Sequence, residues 1–283
     1  MTIPKFQKII WEYYRANKRS FPWRRTRDPY KILVSEIMLQ QTQALRVVPR
    51  YISFLKKFPT TKVLASAPLA DVLREWQGLG YNRRAIFLKK CAETIERDFA
   101  GKFPKDFKTI CTLPGIGPAT AGDLMIFAWN MPVPVIETNV RSVFIHFFFS
   151  EKAAQKIVDP NKKVTDKEIL PLVERSMDHE NPREWYAALF DYGVYLKKTL
   201  PNPSRKSAHH VRQTKFAGSL RQKRATILRL ILEKARTEKE IQNATQYESE
   251  IISEVLAGLL KEGFISQEKT KGKKGKSGLF VPA

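Results

Sequence analysis

The chain has 283 residues, of which 43% are hydrophobic, so it can build one large or two modest cores. Its 50 lysines and arginines outnumber 28 acidic residues, and the formal net charge is +22. A chain this basic is expected to act on a polyanion, with nucleic acid as the first candidate and an anionic membrane surface as the second. A basic surface that serves only solubility is the remaining interpretation.

Several other protein classes are excluded at this level. No apolar run is long enough to span a bilayer, and residues 1–20 carry charges throughout, unlike a signal peptide. Two cysteines, Cys91 and Cys111, are too few for a disulfide framework or a four-thiolate iron–sulfur cluster. We therefore expect a cytoplasmic protein, nucleoid-associated in a prokaryote, that binds no metal, no cofactor and no membrane.

Helical patterns dominate as far as residue 200, and the predicted fold class is all-α. The clearest helix start is Asp28-Pro29, because Asp28 can accept hydrogen bonds from the first amides and proline suits the first helical position. Residues 32–54 are apolar at helical spacing, which predicts two helices broken near Pro49. Further helices are predicted at residues 69–77, 83–98, 118–129, 137–148, 166–177 and 183–195.

The composition changes after residue 195. Residues 196–224 contain no acidic residue and nine lysines and arginines. We interpret them as a basic linker between a large domain at residues 1–195 and a small one at residues 225–283. A linker of this kind either lies along phosphates or stays solvated, and the sequence leaves both open.

The small domain is predicted to resemble a winged helix. A helix at residues 225–235 precedes a capping box made by Thr237 and Glu240, then a helix at residues 247–260. Two short strands at residues 264–265 and 279–281 flank a wing rich in lysine. The third helix carries glutamates that a DNA groove would repel: Glu248, Glu250 and Glu254. The wing lysines of residues 269–278 are the better phosphate contacts, and docking of a partner protein is the alternative.

A glycine-rich turn supplies the first functional motif, Leu113-Pro114-Gly115-Ile116-Gly117-Pro118. Gly115 and Gly117 let the backbone turn tightly and bring bare amides against an anion. Pro118 then opens a helix whose positive end points toward the same place. The motif predicts a helix-hairpin-helix, which clamps a phosphate without reading the bases.

Two carboxylic acids supply the chemistry. Glu36 lies inside the most apolar predicted helix, where burial would raise its pKa and make it a proton donor; a buried structural ion pair is the alternative. Glu137 follows an apolar stretch and precedes a helix. It either stabilises a cationic sugar or directs water, or it only caps the helix N-terminus.

These motifs occur in an order that resembles a known family. The string PWRRTRDPYKILVSEIMLQQTQ, the turn Gly78-Leu79-Gly80-Tyr81, the hairpin and the stretch VIETNVR are similar to the adenine DNA glycosylase (MutY) branch of the helix-hairpin-helix (HhH-GPD) base-excision repair superfamily. The resemblance covers roughly residues 21–195. It implies a two-lobed α-helical fold with the active site between the lobes. It also implies hydrolysis of the N-glycosidic bond of an adenine mispaired with guanine or oxidised guanine in double-stranded DNA.

The resemblance also implies roles for individual residues. Glu36 matches the acid that protonates the adenine ring, and Glu137 stands where the family has an aspartate. The remaining matched residues are Gln41 and Tyr81, which enter the base stack; Gly115 and Gly117, the phosphate clamp; Asn139, a polar contact; and Arg24 and Arg27, which hold the DNA backbone or brace the site.

The chain departs from the family in three places. Glu137 is one methylene longer than the aspartate, and a shift of about 1 Å can cost on the order of a hundredfold in rate. The cluster-binding cysteines expected after Tyr195 are absent, which predicts a cluster-free variant. The winged-helix-like domain stands in place of the family's C-terminal domain that reads oxidised guanine.

Two other functions remain open from the sequence. One is removal of thymine or uracil from mispairs with guanine, or of hypoxanthine, by an enzyme of the same superfamily. The other is a catalytically silent DNA-binding protein, disabled by the change to Glu137. Ala119 occupies the position where bifunctional relatives carry a nucleophilic lysine, so we expect base release without strand cleavage.

Overall fold

The computed structural model describes residues 1–150, 163–211, 215–268 and 278–283. In chain order its elements are α1 (Ile3–Asn17), a 3₁₀ helix (Pro22–Arg25), α2 (Pro29–Leu39), α3 (Ala44–Lys57), α4 (Thr61–Ser66), α5 (Leu69–Glu75), α6 (Arg83–Phe99), α7 (Phe107–Thr112), α8 (Pro118–Trp129), α9 (Thr138–Phe148), α10 (Asp166–Ser176), α11 (Pro182–Thr199), a second 3₁₀ helix (Pro203–Lys206), α12 (Leu220–Glu233), β1 (Arg236–Thr237), α13 (Glu238–Thr245), α14 (Ser249–Lys261), β2 (Ile265–Glu268) and β3 (Leu279–Pro282). The predicted all-α class is confirmed, with a small sheet near the C-terminus. Among the described residues, no helix is long and apolar enough to cross a membrane.

These elements form two compact units that interleave along the chain. Unit 1 comprises Met1–Gln40 and Phe103–Arg212, and unit 2 comprises Gln41–Lys102 and Gln213–Ala283. Unit 2 therefore combines α3–α6 with the segment that the sequence predicts as a separate small domain. Within unit 2 that segment is tied to α5, where the Arg74 Nε donates to the Leu232 carbonyl at 3.1 Å.

The core of unit 1 forms where α1 packs against α9 and α11. Phe6 of α1 is fully buried and makes ring contacts with three phenylalanines of α9 and with Trp185 of α11, at centroid distances of 5.2 to 5.9 Å. Burial of a phenylalanine side chain stabilises a fold by about 1.5–3 kcal/mol, so this cluster fixes the three helices together.

Local capping chemistry sets several helix starts as predicted. The Asp28 carboxylate accepts from the amides of Tyr30 at 2.9 Å and Lys31 at 3.4 Å, and Pro29 opens α2. The predicted capping box of Thr237 and Glu240 is present at the start of α13. Both predictions are confirmed, because each depends only on residues within one helical turn.

The predicted break near Pro49 is wrong. The chain breaks at Gln41, which adopts a positive φ of 55°, and Pro49 lies inside α3. A proline there cannot donate a hydrogen bond to the carbonyl of Leu45, which lies in the first turn of α3 and is 81% exposed. Because this face is open to solvent, the missing hydrogen bond costs little and the helix continues.

The basic segment after residue 195 is more regular than a linker. Helix α11 extends to Thr199 and α12 begins at Leu220, so both ends of the predicted linker are helical. Between them, the Val164 amide donates to the Lys206 carbonyl and the Ala208 amide donates to the Val164 carbonyl, both at 2.8 Å. Arg212 lies outside the described residues, and contact of this segment with DNA stays a prediction.

The C-terminal part of unit 2 has the element order of a winged helix. Helices α12, α13 and α14 accompany an antiparallel sheet in the order β1-β3-β2, with Thr237 paired to Leu279 and Gln267 to Phe280. The sequence does not predict strand β1, because two residues are too few for an alternating pattern. The wing lysines of residues 269–277 lie outside the described residues. The glutamates of α14 and its N-cap are exposed: Glu248, Glu250 and Glu254.

Candidate active site

The predicted hairpin joins α7 and α8 in unit 1. Gly115 has a φ of +77°, in the region that favours glycine, and Gly117 is the N-cap of α8. A side chain built at Gly117 would meet nothing within 4 Å, so the backbone there is open to an approaching group. The amides of the first turn of α8 have no partner within the helix, and they form the predicted place for a phosphate.

Glu36 lies on α2, between the buried residues Ser35 and Ile37, and keeps part of its own surface exposed. Its carboxyl group has no ion pair or hydrogen bond within the described part of the chain. Burial, and secondarily the negative charge of Glu137, raise the pKa of Glu36 to about 8, while Arg24 opposes the shift. Glu36 is therefore a neutral acid at pH 7 that can give up a proton, which argues against the structural ion pair.

Glu137 is held as the N-cap of α9. Its Oε1 accepts from the amides of Asn139 at 2.6 Å and Val140 at 2.9 Å, and its Oε2 accepts from the Asn139 side-chain amide at 3.1 Å. Burial raises the pKa of Glu137, but Lys197, these two amides and Arg141 all oppose that shift. The predicted cap is thus present. Its hydrogen bonds favour the ionised form that a cationic sugar requires, but burial has the larger effect and the pKa of Glu137 is raised overall. A catalytic role for Glu137 stays a prediction.

Helix α11 packs closely against Asn139, whose side chain hydrogen-bonds to Glu137. At Gly193 an added Cβ would lie 2.6 Å from the Asn139 Cβ and 2.7 Å from its carbonyl oxygen, so only glycine allows this approach. One turn later, the Lys197 Nζ donates to the Asn139 Oδ1 at 2.8 Å. The sequence assigned Lys197 to the basic linker. That interpretation is wrong, because Lys197 lies in α11 and contacts the site.

Asp123 on α8 is a third carboxyl group that the sequence analysis missed. Its side chain is buried, with 7% of the residue exposed, and its Oδ1 has no hydrogen-bond partner in the described part of the chain. Burial, then the charges of Glu36 and Glu137, raise the pKa of Asp123 well above its ordinary value. The signal was present in the sequence, because Asp123 interrupts an apolar helix in the same manner as Glu36.

Arg24 and Arg27 differ in their surroundings. Arg24 makes a two-pronged ion pair with Asp191 of α11, Nη1 to Oδ2 at 2.9 Å and Nη2 to Oδ1 at 2.8 Å, and Asp191 also accepts from the Arg19 Nε at 2.6 Å. Only 1% of the Asp191 side chain is exposed. Arg24 therefore braces the 3₁₀ helix against α11, and its predicted role at the site or on the DNA backbone stays a prediction. Arg27 is exposed, and its predicted contact with DNA stays a prediction.

Gln41 and Tyr81 belong to unit 2, and both adopt a positive φ, of 55° and 47°. Tyr81 is 39% exposed. Its hydroxyl accepts from the Arg221 Nη1 at 2.7 Å, and the guanidinium groups of Arg84 and Arg221 both lie over its ring. The winged-helix part of unit 2 thus holds Tyr81 through α12. Insertion of either residue into a base stack stays a prediction.

The residues present do not fit an iron–sulfur cluster. Cys91 is buried in α6 and Cys111 lies in α7, so the two thiols belong to different units. Burial raises the pKa of Cys91 to about 12, which disfavours the thiolate that a metal needs. After α11 the chain instead carries Ser204 and Ser207, both 2% exposed. Within the described ranges, no three His, Cys, Asp or Glu side chains are grouped to hold a metal ion.

Comparison with known proteins identifies a family for the part of the chain that carries these residues. Residues 34–168, which span Glu36, the hairpin, Asp123 and Glu137, match the model of the HhH-GPD superfamily base excision DNA repair protein. Residues 34–168, just under half of the chain, belong to the HhH-GPD superfamily. The predicted recognition is confirmed, and the matched residues lie mainly in unit 1 and in α3–α6 of unit 2.

Individual HhH-GPD relatives are similar over much of the chain. The adenine DNA glycosylase of Buchnera aphidicola subsp. Baizongia pistaciae is 33% identical over 195 residues, which cover 69% of this chain and 53% of that protein. The adenine DNA glycosylase of Mycobacterium tuberculosis is 46% identical over 132 residues, which cover 46% of this chain and 43% of that protein. The chain thus spans about half the length of the curated relatives it matches.

A solved structure of a thermostable thymine-DNA glycosylase superposes with a TM-score of 0.60 at 27% identity. The match covers 72% of this chain and 94% of that one, so nearly the whole of that enzyme has a counterpart here.

Proposed function

We propose that this chain is a monofunctional DNA glycosylase that hydrolyses the N-glycosidic bond of adenine mispaired with guanine or oxidised guanine. The observation that carries the proposal is the pair of acids in unit 1: Glu36, whose pKa burial in α2 raises to about 8, and Glu137, which accepts two backbone amides and a side-chain amide at the start of α9. The names of the curated relatives support adenine as the base. Double-stranded DNA is the proposed partner.

The two acids divide the reaction between them. Glu36 gives its proton to a ring nitrogen of adenine, so the electrons of the glycosidic bond pass to a neutral leaving group. The sugar becomes an oxocarbenium ion, and the Glu137 carboxylate stabilises its positive charge. Water then adds to the sugar carbon and loses a proton to Glu137 or solvent, which leaves an intact abasic site.

A base-release assay tests the proposal. The full chain is incubated with duplexes that carry adenine opposite guanine, oxidised guanine or thymine, and abasic sites are then cleaved with alkali. We expect release of adenine from the first two duplexes and none from the third. An absence of adenine release from both mispairs would contradict the proposed function and leave the silent DNA-binding protein as the better description.

Strand cleavage is expected to be absent. Ala119 occupies the second position after Gly117 and has no amine. Lys197 donates to Asn139 and is occupied in binding that side chain. We therefore expect no nick before alkali treatment and no covalent adduct when borohydride is added during turnover. A stoichiometric trapped complex that disappears in Lys197→Arg would show that Lys197 attacks the sugar and that this mechanism is wrong.

DNA affinity is expected to depend strongly on salt, and the basic segment after α11 is expected to carry much of it. The test variant replaces four of its residues with serine: Arg205, Lys206, Arg212 and Lys215. The log–log salt slope should fall by about 0.9 on duplex DNA for each phosphate that the variant no longer binds, with base preference unchanged. Titration of labelled duplex across salt concentrations measures this slope.

A matched control replaces two basic residues that already pair with acids, Lys8 with Glu12 and Arg97 with Asp98. Serine at these two positions should leave the slope near that of the parent. An equal slope in the quadruple variant would assign the segment to solvent rather than to DNA.

Thymine removal from mispairs with guanine is the second candidate function. The superposition on a thymine-DNA glycosylase favours it. Thymine and uracil can leave as anions, so their release depends less on a general acid than the release of adenine does. Glu36→Gln separates the two functions, since it should abolish adenine release but spare thymine release if thymine is the natural substrate.

We further propose that the protein needs no iron–sulfur cluster, because the thiols it carries do not fit one. The purified chain should contain no stoichiometric iron or sulfide after aerobic or anaerobic preparation.

The exposed glutamates of α14 support docking of a basic protein surface, rather than a DNA groove, on the winged-helix part of unit 2.

A further inference from the structure

Asp123 is a buried carboxyl group of unit 1 that the proposed excision chemistry does not use. Its Oδ1 has no hydrogen-bond partner in the described part of the chain, although the residue is only 7% exposed. Most buried polar atoms in folded proteins have a partner, so an unpaired one beside other acids requires an explanation.

The packing of α2 against α8 places Asp123 of α8 opposite Glu36 of α2. The Gln40 Nε2, just after α2, donates to the Thr120 Oγ1 in the first turn of α8, at 3.3 Å. The C-terminal end of α2 therefore lies beside the N-terminal end of α8. Because the two helices also pack against each other, we infer that they run antiparallel. Glu36 lies one turn before Gln40 and Asp123 one turn after Thr120, on the same faces.

Three titratable groups on neighbouring elements interact electrostatically with Asp123. Glu36 of α2 and Glu137 at the N-cap of α9 raise the pKa of Asp123, and Asp123 in turn raises the pKa of Tyr186 of α11. Three carboxyl groups that share a buried site cannot all ionise. Glu137 has amides and Lys197 to stabilise its charge, and Arg24 acts on Glu36, whereas no basic group of the described chain acts on Asp123. The raised pKa of Asp123 therefore favours its protonated form.

We propose that Asp123 is a positioning residue for Glu36, and that its neutral carboxyl group donates a hydrogen bond to the Glu36 carboxylate formed during base release. The inference rests on the proposed function. When the Glu36 O–H bond breaks, the proton goes to the ring nitrogen of the base and the negative charge stays on Glu36. Asp123 retains its own proton and stabilises that charge, since hydrogen bonds to ionised groups are the strong ones.

Two variants of similar size test this role by single-turnover adenine release as a function of pH. Asp123→Leu removes the donor, while Asp123→Asn keeps an N–H donor but no acidic proton. We expect Asp123→Leu to lower the rate about ten- to a hundredfold and to move the alkaline limb of the profile up by about one to two pH units. Asp123→Asn should move the limb less. Met125→Leu, on the same helix, should change neither.

The direction of the shift distinguishes the two protonation states of Asp123. Loss of a donor to the Glu36 carboxylate raises the pKa of Glu36, whereas loss of a negative charge beside it would lower that pKa. A limb that moves to lower pH in Asp123→Leu would show that Asp123 is ionised, and an unchanged limb would show that Asp123 does not act on Glu36. Either result overturns the proposal.

A measurement without DNA separates this inference from the proposed function. Carboxyl ¹³C NMR follows the titration of Glu36 in the full chain, with Glu36→Gln to assign its signal. If the parent protein releases no adenine but the titration midpoint of Glu36 rises in Asp123→Leu, the proposed function is refuted and the action of Asp123 on Glu36 is supported. If the parent protein releases adenine but the midpoint does not move, the role of Asp123 is refuted and the proposed function stands. Thermal unfolding should find Asp123→Leu at least as stable as the parent, because leucine removes an unpaired buried carboxyl group.

Discussion

Glu36→Gln is expected to lower the rate of adenine release by about a hundredfold or more, because glutamine keeps the shape of the side chain but has no acidic proton. In the parent protein, the Glu36 pKa of about 8 predicts a rate that is level through neutral pH and falls as Glu36 ionises above that value. In the variant this alkaline limb should disappear. Single-turnover release from a duplex with adenine opposite oxidised guanine measures both effects.

A control must show that the variant is folded. The folded-state pKa of Glu36 is raised above its ordinary value, so the folded protein binds this proton more tightly than the unfolded chain. The contribution of Glu36 to stability therefore falls as pH rises from the ordinary value of about 4.3 through about 8. Glu36→Gln should unfold at the same or a higher temperature than the parent at alkaline pH. A variant that retains the parent rate would exclude Glu36 as the acid.

Asp191→Ala is expected to have the largest effect on stability, about 3–5 kcal/mol in the free energy of unfolding. The Asp191 side chain is 1% exposed and the Arg24 side chain 13%, so the substitution leaves a largely buried guanidinium without its partner. The pair also joins the 3₁₀ helix to α11, and its removal should loosen that packing. Thermal unfolding with a circular dichroism signal measures the effect.

The matched control is Asp98→Ala, which removes an exposed aspartate paired with Arg97. An ion pair in full contact with water should leave the unfolding temperature unchanged. If Asp191→Ala unfolds at the same temperature as Asp98→Ala, the buried pair does not brace unit 1 as described.

Much of the fold is predictable where the deciding chemistry is local. The start of α2 depends on Asp28 and Pro29, and the start of α13 on Thr237 and Glu240, so each can be read within one turn. The break at Gln41 could not be predicted in this way. It depends on a residue that adopts the left-handed region without being glycine, while Pro49 is accommodated by an exposed first turn.

The same distinction applies to the candidate site: the sequence predicts residues that belong to local motifs, but not residues that are positioned by long-range packing. Glu36, Glu137 and the hairpin glycines belong to local motifs, and the sequence was sufficient to select them. Lys197 and Asp191 were missed, because their roles arise only when α11 packs against residues far away in the sequence. Asp123 is the exception, since its position in an apolar helix was as informative as that of Glu36.

The pair of Arg24 and Asp191 also constrains how the protein is made. The two residues lie 167 positions apart, and the hydrogen bond from Tyr14 to Glu184 spans 170. A ribosome that adds about 5–20 residues per second needs roughly ten to thirty seconds to extend the chain from Arg24 to Asp191. During that interval α1 and its apolar face emerge without the helix that covers them. The N-terminal segment must therefore wait for α11, and unit 1 closes only when synthesis has passed that helix.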